Sequence, residues 1–275
     1  MIVCDSHVHV FGPLSRYPAE TGSPYPVPDA TPGQLLERMD GSGVTHAVVV
    51  HAATSGRDNR RTLDLLQEYP DRFRGVIVPP PEAPDDATLL HWHRLGVRGV
   101  RFSYTRTAQP GMALDPTLAA RIAELGWHAQ VHLESEHLAG LAGTLAALPC
   151  RVVIDHMGRI PARHGLRDEA FAVLQGLVDG GNAWVKLSAP MRMSSESAPP
   201  YADVAVMARA LVRQAPQRML WGSDWPHVNL QSPAPPYAAL RRMLDDWAPD
   251  AGHRRLILAD NPALLYSLSE PDRRS

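Results

Sequence analysis

Ile2-Val3-Cys4-Asp5-Ser6-His7-Val8-His9-Val10 is a short apolar run that ends in ionisable side chains. Three later runs finish the same way. His132 closes His128-Ala129-Gln130-Val131-His132, and His156 closes Val152-Val153-Ile154-Asp155-His156. Asp224 closes Met219-Leu220-Trp221-Gly222-Ser223-Asp224. A β-run is buried scaffold, so charged groups at its C-terminal end belong at a rim. In a barrel of parallel strands that rim is the mouth where active sites form. The pattern points to hydrolysis by an aspartate and several histidines.

Eight such runs recur, at 2–10, 46–52, 74–79, 97–104, 128–133, 152–156, 184–188 and 219–224. They are mostly continuous in Val, Ile and Leu rather than alternating. That pattern suits strands covered on both faces, as in a parallel sheet. Helical stretches lie between them. Thr31-Pro32 before Leu35, Leu36 and Met39 reads as an N-cap, a first-turn proline and an apolar face. Asp115-Pro116 before Leu118, Ile122 and Leu125 repeats this grammar and stops at Gly126. Further helices are expected at 59–68, 86–95, 136–147, 168–179, 201–214, 236–247 and 262–268. Strand–helix alternation repeated eight times predicts a (β/α)8 TIM barrel, one α/β domain over 1–275. A Rossmann-type sheet is the competitor, but no glycine-rich phosphate turn follows the first run. Long connections at 11–30 and 191–200 follow strand ends, where barrel loops cover an active site.

Composition narrows the function classes. The formal net charge is −2, which gives no basic field for nucleic acid or an anionic membrane. No long apolar stretch suggests a membrane span, and no basic and apolar leader precedes the first run. The expectation is a cytoplasmic protein with a small-molecule partner. The two cysteines, Cys4 and Cys150, read as buried free thiols, with a disulfide left open.

His7 and His9 are two apart on a strand, so both face one side. Two converging imidazoles can hold a metal or bind an oxyanion. Alone they are equally a packed pair, but His132, His156 and Asp224 at equivalent run ends raise their weight. Asp224 stands in Trp-Gly-Ser-Asp-Trp-Pro-His. A turn or cap aspartate is the plain alternative, yet the flanking tryptophans argue for a desolvated carboxylate that needs partners. Beside imidazoles or a metal it can take a proton from water. His156 could polarise a carbonyl or orient water. Glu134 could orient His132. Arg101 ends the fourth run, Arg106 follows in its loop and Arg192 follows the seventh. Guanidinium binds carboxylate in a bidentate way, so an anionic substrate follows. Lys186, inside the seventh run, is either a further candidate or a barrel lysine paired with a carboxylate. His91 and His93 fall inside a helical stretch and read as non-catalytic.

The ordered set Asp-Ser-His-Val-His-Val-Phe-Gly-Pro, Gly-Val-Arg-Gly-Val-Arg-Phe, Asp-His-Met-Gly-Arg, Leu-Trp-Gly-Ser-Asp-Trp-Pro-His and Asp-Asn-Pro-Ala-Leu-Leu-Tyr resembles the amidohydrolase superfamily. It is most similar to the branch of 2-pyrone-4,6-dicarboxylate hydrolases and related lactonases. The resemblance covers nearly the whole chain. It implies a barrel that hydrolyses a lactone, with Asp224 activating water and His7, His9 and His156 acting on the scissile carbonyl. It implies that Arg101 and Arg192 hold substrate carboxylates and that Tyr25 of the first long loop closes over the ring.

Two departures put the dicarboxylate substrate in question. His132 stands where the pyrone hydrolases carry a tyrosine. Thr107 stands where they carry a second arginine, with Arg106 adjacent. A lactone with a simpler acid is an equal expectation. The pyrone hydrolases work without a metal, and metal-independent catalysis is the favoured expectation here. Yet His7, His9, His132 and Asp224 make a set that could hold one zinc with an open position for water. Arg101 at the fourth strand end, with no bridging lysine or glutamate, argues against a binuclear centre. Two rival functions stand beside the lactonase: a zinc-dependent decarboxylase on the same fold, and a non-enzymatic binder of small organic acids.

Overall fold

The structure, a computed structural model, describes residues 1–270 apart from 20–22, 24, 53–54, 107, 109 and 231–232. Thr107 therefore lies outside the described residues. Eight parallel strands form one sheet in sequence order. They are β1 (Cys4–Val8), β2 (His46–Val50), β3 (Phe73–Ile77), β4 (Val97–Tyr104), β5 (His128–Leu133), β6 (Arg151–Ile154), β7 (Ala183–Ser188) and β8 (Met219–Gly222). The sheet closes on itself between β8 and β1. There the His9 N–H donates to Trp225 O at 2.8 Å and the Asp224 N–H donates to His7 O at 2.9 Å. The fold is the expected (β/α)8 barrel.

The helices are α1 (Pro32–Asp40), α2 (Arg60–Glu68), α3 (Asp86–Leu95), α4 (Pro116–Glu124), α5 (Leu138–Ala146), α6 (Glu169–Asp179), α7 (Ala202–Gln214), α8 (Tyr237–Trp247), α9 (Ala251–Arg255) and α10 (Asn261–Tyr266). The caps explain several of their starts. Thr31 and Gln34 form a reciprocal capping box on α1, and Asp115 accepts from the Thr117 and Leu118 N–H groups of α4. Gly126 adopts φ +70° just beyond α4, a conformation glycine takes without strain. The short helix α9 was not expected from sequence. Its signal was Asp250, whose carboxylate caps the His253 N–H.

Apolar packing among the described residues falls in two large zones and a small cluster of Phe11, Ala30, Ala52 and Val228. Val49, Ile77, Val100, Phe102, Val131, Ile154, Val185 and Trp221 pack in the main core with helix residues such as Leu35, Leu65 and Leu211. Inside the barrel, Cys4, Val48, Val76, Val153, Trp184 and Leu220 pack against Leu265 and Tyr266 of α10, which plugs this end. Each fully buried aliphatic side chain contributes about 1.5–3 kcal/mol, so the plugged end is rigid scaffold. Both cysteines are buried and free.

One irregularity matters for function. The β1–β2 register shifts between Asp5 and Val8, where β1 spends three steps against two on β2. The extra residue is a bulge that changes which parity faces inward. Cys4 packs inside the barrel. Asp5 contacts α8, where the Tyr237 hydroxyl donates to its Oδ2 at 2.8 Å. His7 and His9 both turn toward Asp224, His9 lining the upper cavity and His7 buried beneath it.

Candidate active site

The strand ends meet at one mouth. His9, His132, His156 and Asp224 line a cavity of about 170 Å³ with Arg101, Arg106, Arg192 and Tyr25. His7 sits directly beneath, fully buried. Asp224 Oδ1 is ringed by three imidazoles. It lies 3.5 Å from His9 Nε2, 3.7 Å from His7 Nε2 and 3.7 Å from His156 Nε2. These separations exceed a good hydrogen bond, so the polar atoms are left to share a water or ion on the cavity side. The backbone holding them is unusual. His156 has φ 51° and Asp224 has φ 66°, both left-handed and non-glycine. Such residues cost energy and gather at active sites. The left-handed turn after β6 also includes Met157, Gly158 and Arg159.

Hydrogen bonds assign protons. His9 Nδ1 lies 2.8 Å from Val50 O. A carbonyl only accepts, so Nδ1 carries the proton and Nε2 of the neutral ring is bare. His156 Nδ1 lies 2.8 Å from Ser188 Oγ. A hydroxyl can donate, so the neutral ring can keep its proton on Nε2, facing Asp224. His7 Nδ1 lies 3.2 Å from Asp155 Oδ1 and 3.3 Å from Lys186 Nζ. Its Nε2 is buried without a hydrogen-bond partner.

Asp224 is buried, which alone would raise its pKa. Arg192, together with the surrounding imidazoles, outweighs that and holds it well below the usual carboxylate range. Both Nε and Nη2 of Arg192 lie 2.9 Å from Asp224 Oδ2. Burial presses His156 down to about 3, against the pull of Asp224 and Asp155. His7 is driven well below its ordinary value by burial. At neutral pH the centre therefore sets an ionised carboxylate against the uncharged imidazoles of His7 and His156.

A second layer supports the first. Asp155 accepts from Arg101 Nε at 2.9 Å and from Gln130 Nε2 at 3.1 Å. Lys186 Nζ donates to Gln130 Oε1 at 2.7 Å and lies 3.7 Å from Asp155 Oδ1. Burial lowers Lys186 to about 8, against the pull of Asp155. Lys186 is thus the paired barrel lysine of the two alternatives. A buried charge without such partners would cost several kcal/mol.

Several placements differ from the sequence reading. Glu134 does not orient His132; it accepts from Arg159 Nη1 at 2.9 Å. Arg101 and Arg192 line the cavity, but each already holds an aspartate. Asp155, Gln130, Ser188 and Arg159 were given no role from sequence. Asp155 had a signal, since it precedes His156 at a strand end. Gln130 also had one, as it alternates with His128 and His132 on β5.

The residues offer places for a metal. Among the described residues, His7, His9 and Asp224 form one group whose ligand atoms lie within 4.8 Å of one another, and His7, Asp155 and His156 form another. The bare His9 Nε2 and the orphaned His7 Nε2 fit the first group to a divalent ion. His132, expected as a ligand, belongs to neither group.

A barrel that gathers a carboxylate and imidazoles around a cavity at its strand C-termini has the make-up of a hydrolytic enzyme class. The chain belongs to the amidohydrolase family, whose sequence profile matches residues 4–268. It is 37% identical over 272 residues to a 2-pyrone-4,6-dicarboxylate hydrolase of Comamonas testosteroni, covering 95% of this chain and 89% of that protein. It is 36% identical over 270 residues to a 4-sulfomuconolactone hydrolase of Rhizobium radiobacter, covering 96% and 89%. A solved Pseudomonas putida structure, assigned as a 2-pyrone-4,6-dicarboxylic acid hydrolase, superposes with a TM-score of 0.85 at 32% identity. That match covers 98% of this chain and 99% of the other. No helix among the described residues is long and apolar enough to cross a membrane.

Proposed function

We propose that this enzyme opens the lactone ring of a small carboxylated substrate, with Asp224 as the general base. The observation that carries the reading is Asp224 Oδ1 facing three imidazole Nε2 atoms at 3.5–3.7 Å, beside a wall of arginines. The named relatives act on lactones bearing acid groups, which supports the substrate class.

The residues divide the work. A water on the cavity side of His9 and Asp224 gives a proton to Asp224, with the bare His9 Nε2 accepting a hydrogen bond from it. The hydroxide equivalent attacks the ring carbonyl carbon. His156, with Nε2–H aimed at the centre, donates to the oxyanion that develops. His7 lies beneath, its Nδ1–H donating to the ionised Asp155 carboxylate, and supports the His156 ring it packs against. When the tetrahedral intermediate collapses, the ring C–O bond breaks and protonated Asp224 returns its proton to the leaving oxygen. The product is a hydroxy acid. Arg101, Arg106 and Arg192 hold the substrate's acid function, Tyr25 covers the ring, and His132 lines the recognition wall.

A divalent ion at His7, His9 and Asp224 would supply Lewis-acid activation of the water. Metal-free catalysis is the favoured reading on charge grounds. Arg192 already neutralises Asp224, and Arg101 and Lys186 stand behind His7, so a dication would enter a cationic surrounding. Zinc remains the alternative, and with it a decarboxylase.

The test is a panel of carboxylated lactones, run with elemental analysis of the purified protein. Wild type should open at least one member without stoichiometric metal. Asp224→Asn should lower kcat by about 10³-fold with little change in ligand affinity. Retention of most of the rate removes Asp224 as the base. Carbon dioxide release with bound zinc assigns the decarboxylase.

A further inference from the structure

Four guanidiniums line the cavity: Arg101, Arg106, Arg159 and Arg192. Three are already engaged by carboxylates. Asp155 holds Arg101, Asp224 holds Arg192, and Glu134 holds Arg159. The two aspartates belong to the hydrolytic centre. Glu134 does not; among the described residues its ionic partner is Arg159 alone. Side-chain exposures of 17% for Glu134 and 24% for Arg159 leave both reachable from the cavity. Arg106 is exposed and has no ionic partner among the described residues. It lies close enough to Arg159 to disfavour that charge. Arg106, Arg159 and Glu134 therefore share one wall, and the cation left for a substrate anion there is Arg106. His132 is on the same lining, and its buried Nδ1 has no hydrogen-bond partner.

We propose that Glu134 is a specificity-determining residue that limits this site to a substrate with one carboxylate. That carboxylate takes Arg106 as its one unengaged cation, with Arg101 and Arg192 as shared partners. The neighbouring substituent, facing Glu134 and His132, is a neutral hydrogen-bond donor such as a hydroxyl. A second carboxylate directed at Arg159 meets the Glu134 carboxylate already there, and like charges in a half-buried site repel strongly. A hydroxyl donates to Glu134 without that repulsion. Discrimination thus comes from a repulsive element built beside the attractive one.

The inference rests on the lactone reading for its substrate class, but its test needs no turnover. Unreactive planar acids serve as probes: 3-hydroxybenzoate and benzene-1,3-dicarboxylate, titrated calorimetrically into wild type, Glu134→Gln and Glu134→Asp. Wild type should bind the hydroxy acid at least roughly tenfold more tightly than the diacid. Glu134→Gln should erase most of that preference by strengthening diacid binding, and Glu134→Asp should keep it. An unchanged ratio in Glu134→Gln overturns the proposal. So does a wild-type preference for the diacid, an equal weakening of both acids in the variant, or no binding of either acid to wild type. If the discrimination holds while no lactone in the panel is opened, the functional reading fails and the role of Glu134 stands.

Discussion

Asp224 divides its two oxygens between different partners. Oδ2 is held by Arg192, while Oδ1 faces the imidazoles. The arginine proposed to bind substrate therefore also restrains the carboxylate proposed as the base. Replacing Arg192 with Gln removes charge-assisted bonds worth about 1.5–3 kcal/mol each, so KM should rise roughly 10- to 100-fold. The sign of the pH effect follows from the same contact. Arg192 depresses the Asp224 pKa, so its loss raises that pKa and moves the acidic limb of kcat/KM to higher pH. A pH–rate profile that keeps the wild-type limb would show that Arg192 does not govern the base. At this scale the sequence disclosed who comes to the mouth, because charged residues at apolar run ends have one place to go. It did not disclose who pairs with whom. Glu134 lies two residues from His132 in the chain but bonds to Arg159, and Asp155 adjoins His156 but serves Arg101 and Gln130. Partner choice depends on neighbouring strands, which periodicity does not report.

The seam between β8 and β1 is the element on which the site depends. Gly222, the last residue of β8, packs against His7. A Cβ there would lie 2.6 Å from His7 Cβ and 3.0 Å from its backbone N. Gly222→Ala must therefore push the two strands apart or move His7. Overpacking of this kind costs roughly 1–3 kcal/mol. Thermal unfolding should show that loss, and kcat should fall as His7 leaves its place under Asp224. Wild-type kcat in a correctly folded Gly222→Ala protein would mean that this close approach is unimportant for catalysis. Strand positions were legible because both faces are covered and the apolar runs are continuous. Helix starts were legible where a cap residue precedes proline, as at Thr31 and Asp115. The bulge in β1 was not, because one extra residue in a short run leaves no periodic trace. It decides that Asp5 meets Tyr237 while His7 turns toward Asp224.

At the scale of the whole molecule, barrel closure concentrates buried histidines that must stay neutral. The barrel itself could be read from eight repeats of strand and helix. The imidazole-lined interior could not, since histidine inside a run has no distinctive spacing. Its consequence is acid sensitivity. Burial presses His128 down to about 3, and His51, His46 and His227 to about 4. In the unfolded chain each titrates near 6.5. Between these limits the unfolded state binds more protons, so stability is full above about pH 6.5 and is lost as pH falls toward 4. Each histidine contributes up to about 1.4 kcal/mol per pH unit across its window. Asp5, raised to about 6 by burial, works in the opposite direction but is one group against several. Asp155 and Asp224, held well below the usual range, add their losses only at lower pH. Unfolding free energy should therefore decline steeply from pH 6.5 to 4.5, before ordinary carboxylates titrate. His128→Phe keeps an aromatic ring against Tyr266 and removes one titrating site. Denaturant titrations of this variant should give a pH slope shallower by about one proton. An identical slope in variant and wild type would mean that His128 is not the neutral buried group its surroundings require.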